Sequence, residues 1–237
     1  MKKYFSFVPV IILLLICSNV FSQTLSKIEG AWENKDGQNQ SILIFKGGYF
    51  TYAGYTANEF ALSRGGAYTI DGKIVKIEIE FNSANSKEVG KQIEGNFSID
   101  DTQLEISLAN ISIKYHRIDD GEAPLAGVWK ISAREQDGKL VPIHQKGTRK
   151  TLKILTGKRF QWFAINPETK EFSGTGGGAY TFINGKYTEN IDFFSRDNSR
   201  VGAKLTFDGK LQDGKWLHSG LSSKGEKIYE VWERVKY

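Results

Sequence analysis

The sequence predicts an all-β protein of two tandem eight-stranded up-and-down antiparallel barrels, and three observations lead to that fold class. A six-residue motif, Gly-Gly-Ala-Tyr-Thr and an apolar residue, occurs at 65–70 and again at 177–182. Apolar and polar residues alternate with a period of two, as at 76–81, which is typical of strands with one buried face. Turn dipeptides such as Asn184-Gly185 separate these runs. Closely spaced hairpins bury their edges best by closing into a barrel.

The first 22 residues are predicted to be a secretory signal peptide. Lys2 and Lys3 precede an apolar run that ends near Cys17, and small residues stand before the cleavage position after about Ser22. The run is shorter than the roughly twenty residues that a membrane span needs. Ile16 disfavours a lipoprotein anchor at Cys17, because such anchors follow a small residue. We therefore expect a periplasmic or secreted protein whose mature chain has no cysteine and no disulfide.

The mature chain is predicted to divide at an acidic linker. Residues 23–119 form the first, more divergent repeat, residues 120–126 the linker, and residues 127–237 the second repeat. Each repeat has about one hundred residues, which is the size of a whole small domain rather than of a solenoid repeat. With 25 glycines, only 4 prolines and 13% aromatic residues, the composition suits short strands and tight turns.

Charge gives little indication of a polyanionic partner. The whole chain carries +5, and Lys2 and Lys3 in the predicted signal peptide contribute to that value. A basic run lies beside Phe160 and Trp162, but strand alternation would divide it between the two faces of a strand, which favours a charged exterior over nucleic-acid binding. The run consists of Lys146, Arg149, Lys150 and Lys153. We therefore predict no nucleic-acid partner, and no membrane span either.

A family resemblance rests on a tryptophan and an arginine in each repeat. Gly-x-Trp at 127–129 with Arg234 on the last strand resembles the Gly-x-Trp and closing arginine of lipocalins and their calycin relatives. The first repeat has the same pair, Trp32 and Arg117. The second repeat also looks like lipocalin-like domains of unknown function in secreted bacterial proteins, at 177–181 and 230–234 among other places. The resemblance implies that each arginine lies over its tryptophan (Trp129 for Arg234) as a structural plug, in a barrel with room for a small ligand.

Three ionisable residues are predicted to lie inside the second barrel. Strand parity places Glu230 on the same face as Arg234, and His218 on the same face as Trp216. Glu189 is placed inside by apolar partners on its own strand. Those partners are Tyr187, Ile191 and Phe193.

The first repeat has isoleucine at all three matching positions. Burying ionisable groups without partners costs several kcal/mol, so the polar set needs either mutual contacts or a ligand. We therefore predict a filled, supporting first barrel and a ligand-binding second barrel, with an apolar wall of aromatic residues around the polar set. The matching isoleucines are Ile77, Ile106 and Ile113. The predicted wall is Trp162, Tyr180, Trp216 and Trp232.

The favoured function is a secreted, non-catalytic binding module that holds a small amphipathic ligand in the second barrel. The alternative is an enzyme that uses Glu189, Glu230 and His218 for general acid–base chemistry. We predict no metal and no cofactor, because the 3 histidines are scattered without the spacing of a ligand pair. Haem ligation by His218 is the one cofactor alternative. His144 is predicted to be a solvated loop residue.

Overall fold

A computed structural model describes residues 27–57, 59–143, 148–222 and 225–237. The predicted signal peptide, including Cys17, lies outside the described residues. So do His144 and Lys146. Among the described residues, no helix is long and apolar enough to cross a membrane.

The first repeat forms a closed barrel whose strands neighbour one another in chain order, with the first pairing the last. Its strands are β1 (Gly30–Asp36), β2 (Asn39–Lys46), β3 (Tyr49–Tyr55), β4 (Phe60–Asp71), β5 (Ile74–Asn82), β6 (Gln92–Ile99), β7 (Gln103–Leu108) and β8 (Ile111–Asp119). All neighbouring pairs are antiparallel.

The second repeat closes in the same way, through pairing of β9 with β17. Its strands are β9 (Gly127–Gln136), β10 (Lys139–Pro142), β11 (Lys150–Leu155), β12 (Arg159–Asn166), β13 (Glu171–Ile183), β14 (Lys186–Phe194), β15 (Lys204–Gln212), β16 (Lys215–Leu221) and β17 (Lys227–Val235). β10 adds only to the far end of β9, so eight strands form the barrel wall. The predicted fold class, two eight-stranded antiparallel barrels in tandem, is confirmed.

Helical structure among the described residues is limited mainly to a single 3-10 turn at the same place in each repeat. These turns span Ser86–Glu88 and Asn198–Arg200, and they follow β5 and β14 at the same short distance along the chain. Asn85 and Asp197 cap them by accepting hydrogen bonds from backbone amides, which satisfies donors that a helix start leaves free. The repeat therefore extends to the irregular connections.

An arginine stacks on a buried tryptophan in both barrels. The guanidinium carbon of Arg117 lies 3.9 Å from the Trp32 ring centroid, and that of Arg234 lies 4.3 Å from the Trp129 ring centroid. Each arginine donates to backbone carbonyls of the segment that precedes its barrel, Arg234 to Pro124 among them. The stack therefore ties the first and last strands of each barrel together through a cation–π contact and hydrogen bonds.

A β-bulge in β13 and β14 changes which residues face the barrel interior. Gly177 pairs with Phe193 and Gly178 with Ile191, so Asp192 has no partner in the ladder. A Cβ on Gly178 would come within 1.9 Å of a backbone oxygen of β14, which explains the glycine. Because the bulge shifts the alternation by one residue, Phe193 faces out of the barrel. Its predicted place on the inner face, beside Glu189, is wrong.

The two barrels pack directly against each other across an apolar surface, which we call the inter-barrel core. From the first barrel it contains Ala31, Ile42, Ile44, Tyr49, Ala53, Tyr55 and Phe81, and from the second Val128, Leu152, Ile154, Phe163, Ile165 and Phe193. These side chains point away from the interior of their own barrel. The linker is therefore not the main connection between the barrels.

The inter-barrel core is built from equivalent positions of the two repeats. Phe81 and Phe172 have ring centroids 6.0 Å apart, and Phe193 and Phe60 have theirs 6.2 Å apart. Strand registers show that Phe81 corresponds to Phe193 and Phe60 to Phe172. The two contacts therefore join the same two positions, with the contributing repeats exchanged, as in the two-fold interface of a homodimer.

The segment predicted as a linker is packed rather than loose. Leu125 is fully buried and belongs to the apolar core of the second barrel. At the end of β8, the buried Asp119 carboxylate accepts hydrogen bonds from the Thr156 hydroxyl at 2.8 Å and from the backbone amides of residues 157–158. These bonds fasten the last strand of the first barrel to a turn of the second.

Candidate functional site

The second barrel contains a cavity of about 280 Å³ that combines an apolar wall with paired charges. Arg200 of the second 3-10 turn lines it, and four strands each supply one further ionisable group. These are Lys153 from β11, Glu189 from β14, His218 from β16 and Glu230 from β17. The wall includes Trp162, Ile191, Phe194, Leu205, Phe207, Ile228 and Trp232. Apolar walls with a few convergent polar groups are typical of small-molecule sites.

Lys153 and Glu189 form an ion pair inside the barrel. The Nζ of Lys153 lies 2.8 Å from Oε1 of Glu189, and the two side chains are only 6% and 7% exposed. The same Nζ lies within 5.2–5.8 Å of four aromatic ring centroids, which adds cation–π attraction. The rings are those of Phe160, Tyr187, Trp216 and Trp232. Desolvation of a buried pair costs several kcal/mol per ion, and these contacts offset that cost.

His218 and Glu230 form a second polar pair on adjacent strands. The Nδ1 of His218 lies 3.4 Å from Oε2 of Glu230, which also accepts a hydrogen bond from the Trp232 indole at 3.1 Å. Burial lowers the pKa of the His218 imidazole and outweighs the opposing effect of Glu230. Burial would raise the pKa of the Glu230 carboxyl, but the hydrogen bond and charge of His218 and the charge of Lys153 together lower it. Near neutral pH the pair is therefore a neutral imidazole beside a carboxylate.

One ring nitrogen of the His218 imidazole has no hydrogen-bond partner among the described residues. A carboxylate only accepts, so the contact with Glu230 requires the ring proton on Nδ1 and leaves a lone pair on Nε2. Nε2 of His218 is buried and has no hydrogen-bond partner among the described residues. A bound molecule with a hydroxyl or amine donor would satisfy it. The Nε2 lone pair is therefore an acceptor that the described residues leave unused.

Five of the seven residues predicted to contact a ligand line the cavity, and two do not. Glu189, His218, Glu230, Trp162 and Trp232 line it. Trp216 is fully buried in the apolar core of the second barrel, and its ring centroid lies 5.8 Å from that of Trp129. Tyr180 is also buried in that core, and its hydroxyl donates to the Thr156 carbonyl at 2.6 Å. Both residues support the site rather than contact its contents.

Lys153 is the cavity-lining ionisable residue that the sequence pattern did not predict. The prediction of a charged exterior for the basic run is wrong for Lys153, which faces the barrel interior. The Nζ of Lys150 lies 2.8 Å from the Glu80 carboxylate of the first barrel. Strand registers pair Lys153 with Trp129 and Trp162 just as they pair Leu43 with Trp32 and Tyr52. Comparison with Leu43 was the signal that could have identified an inward lysine.

The first barrel is not filled, contrary to the prediction. It contains a cavity of about 200 Å³ lined by Ile77, Ile106 and Ile113 among other residues. Strand registers place Gly95 where the second barrel has Phe207, so an aromatic side chain is missing from this interior. An eight-stranded barrel has room for a small ligand unless large side chains occupy it.

The lowered pKa of His218 predicts how stability depends on pH. The unfolded chain binds a proton to this histidine near its ordinary pKa of about 6.5, while the folded chain resists it. Below that pH the unfolded state holds more protons than the folded state. The free energy of unfolding therefore decreases as the pH is lowered, by at most about 1.4 kcal/mol per pH unit. Denaturation between pH 7.5 and 5.5 should show this fall, and His218→Gln should flatten it. A matching effect of His116→Gln, at an exposed histidine, would contradict the assignment.

Within the described ranges, no group of three or more His, Cys, Asp or Glu residues is placed to hold a metal ion.

Comparison with known proteins finds a family model that matches the second barrel. No curated protein matches the chain. Residues 124–237, which contain every strand of the second barrel, match a family described as a domain of unknown function (DUF4488).

Proposed function

We propose that the second barrel is a non-catalytic binding module that holds a small amphipathic molecule. The observation that carries this proposal is the cavity of about 280 Å³, in which two charged or polar pairs lie against an aromatic and aliphatic wall. At about 30 Å³ for each water-sized group, the space suits a molecule of roughly ten non-hydrogen atoms. Its head meets the four ionisable groups that the strands supply, and its apolar part meets the wall.

The state of the ionisable groups favours binding over general acid catalysis. A carboxyl group that acts as a general acid near neutral pH needs a raised pKa. The pKa of Glu230 is lowered, and Glu189 is held by the ammonium of Lys153. Both carboxylates therefore serve to orient a ligand and to balance charge.

One observation supports the enzymatic alternative. Glu230 orients the neutral imidazole of His218 and leaves its Nε2 lone pair unused, which is the arrangement of a general base. The adjacent hydroxyl of Ser219 belongs to the opposite face of β16 and supplies no nucleophile to the cavity. Base chemistry would then act on a proton of the bound molecule or of a hydroxyl that lines the cavity, such as that of Thr151 or Ser222.

Export and the lipocalin-like relationship belong to the same proposal. Export is supported by the apolar N-terminal segment that follows Lys2 and Lys3. The lipocalin-like relationship is supported by the Gly-x-Trp start and the arginine stacked on its tryptophan in each barrel. A small-molecule carrier in the periplasm or outside the cell fits these features.

Native mass spectrometry of the protein from its own host tests the binding proposal. We expect a bound species of small mass that dissociates on denaturation and carries a hydroxyl or amine group. A variant with the first-barrel residues, Lys153→Leu, Glu189→Ile, His218→Ile and Glu230→Ile, should remain folded and lose that species. A protein without any bound mass in repeated native preparations, or a folded variant that keeps the species, would refute the proposal.

A further inference from the structure

The cavity of the first barrel differs in chemistry from that of the second. Its walls are aliphatic and aromatic, and of the described residues that line it, Arg64 alone carries a charge. The apolar lining includes Leu43, Val75, Ile77, Ile93, Ile106 and Leu108. One cation in an apolar pocket has an unbalanced charge, whereas the second barrel opposes Lys153 with Glu189.

Arg64 is placed with an unused hydrogen-bond donor. Its Nε is buried and has no hydrogen-bond partner among the described residues. Its guanidinium carbon lies 5.6 Å from the Tyr52 ring centroid, so the aromatic ring holds the group by a cation–π contact without satisfying its N–H donors. A buried donor of a charged group that lacks an acceptor is costly. The missing complement is an anionic acceptor.

Two tyrosines lie close to this arginine. Tyr52 and Tyr115 both line the cavity. Burial raises the pKa of Tyr115 to about 12, and the nearby charge of Arg64 opposes that rise only in part. Tyr115 therefore keeps its phenolic proton at neutral pH. Near the opening, Ile111 and Ile113 are 65% and 38% exposed, so the entrance is apolar as well.

We propose that the first barrel is a separate binding site for a small organic anion with an apolar tail, in which Arg64 binds the anionic group. The aliphatic wall takes the tail, and a carboxylate is the simplest head that accepts from a guanidinium. The site is not a copy of the one in the second barrel, because strand register places Gly176 where the first barrel has Arg64. It does not depend on the function proposed for the second barrel.

Titration of the intact two-barrel chain with sodium octanoate tests the site. We expect the NMR signal of the Arg64 Nε–H to shift in a saturable way, because the buried donor gains an acceptor. Octan-1-ol at the same concentrations should leave that signal in place, and butanoate should bind more weakly because its tail is too short. Calorimetry of Arg64→Met should show octanoate affinity reduced about 10- to 100-fold, the range that a hydrogen bond to a charged group contributes.

A charge-matched control separates the site from the general charge of the protein. Lys73→Met removes one exposed cation from the same barrel and should leave octanoate affinity unchanged. Circular dichroism should show that Arg64→Met keeps its strands, which makes a loss of binding interpretable. The proposal fails if octanoate does not shift the Arg64 signal, or if the folded Arg64→Met variant binds octanoate as tightly as the original chain.

Discussion

Glu189→Ile is expected to lower the free energy of unfolding by about 3–5 kcal/mol, because it leaves the ammonium of Lys153 buried without its carboxylate. Lys153 and Glu189 are 2.8 Å apart and almost completely buried, so water cannot take the place of the missing partner. Chemical denaturation of the variant and the original chain measures the difference.

A double variant makes this prediction specific to the ion pair. Lys153→Leu with Glu189→Ile reproduces Leu43 and Ile77 of the first barrel and removes both charges. Replacing a whole buried pair by apolar residues is often neutral or stabilising by about 1–4 kcal/mol, so the double variant should recover the stability that the single variant loses. Equal losses in the single and double variants would contradict the role of the unpaired charge.

An exposed ion pair provides the matched control. Lys186 and Asp208 lie 2.5 Å apart, but their side chains are 61% and 67% exposed. Asp208→Asn should therefore change the free energy of unfolding by no more than about 1 kcal/mol. If this variant were as unstable as Glu189→Ile, burial would not be the cause of the large effect.

The sequence predicted the two barrels because the pattern that determines them is local and is repeated. Alternation within strands and glycine-containing turns between them appear twice in the same order, and the same pairings then follow in both repeats. The inward direction of Glu189, His218 and Glu230 followed from the same alternation. Each of these strands has one face against the barrel interior, so parity was enough.

Parity failed for Lys153 because its strand is buried on both faces. In β11, Leu152 and Ile154 alternate with Lys153, and a single barrel would turn the aliphatic residues inward and the lysine outward. The structure does the reverse, since Leu152 and Ile154 pack in the inter-barrel core. Which of the two alternating sets faces the barrel interior depends on a surface contributed by residues far away in sequence. Local pattern cannot contain that information.

The other differences from prediction have causes that strand alternation does not report. Phe193 lies in the inter-barrel core because a bulge moves it there, and a bulge inserts one residue without any change in composition. The first-barrel cavity was not predicted because it depends on the small side-chain volume at one position, Gly95. Alternation reports the direction of a side chain rather than its size.

Trp129→Ala and Trp32→Ala are each expected to lower the free energy of unfolding by about 3–5 kcal/mol, the usual cost of deleting a large buried aromatic side chain. Both rings are fully buried. The Trp32 indole N–H donates to the Ile28 carbonyl, and the Trp129 indole N–H donates to the Leu125 carbonyl. Each truncation also removes the ring on which an arginine stacks, so it loosens the join between the first and last strands.

Trp162→Ala distinguishes this structural role from a general effect of losing a tryptophan. Trp162 is only partly buried and lines the second-barrel cavity, so its truncation removes less packed surface and should cost less stability than Trp129→Ala. Equilibrium denaturation of the three variants under one set of conditions makes the comparison. Unchanged midpoints for both Trp32→Ala and Trp129→Ala would show that the stacked arginine and tryptophan pairs do not hold the barrels closed.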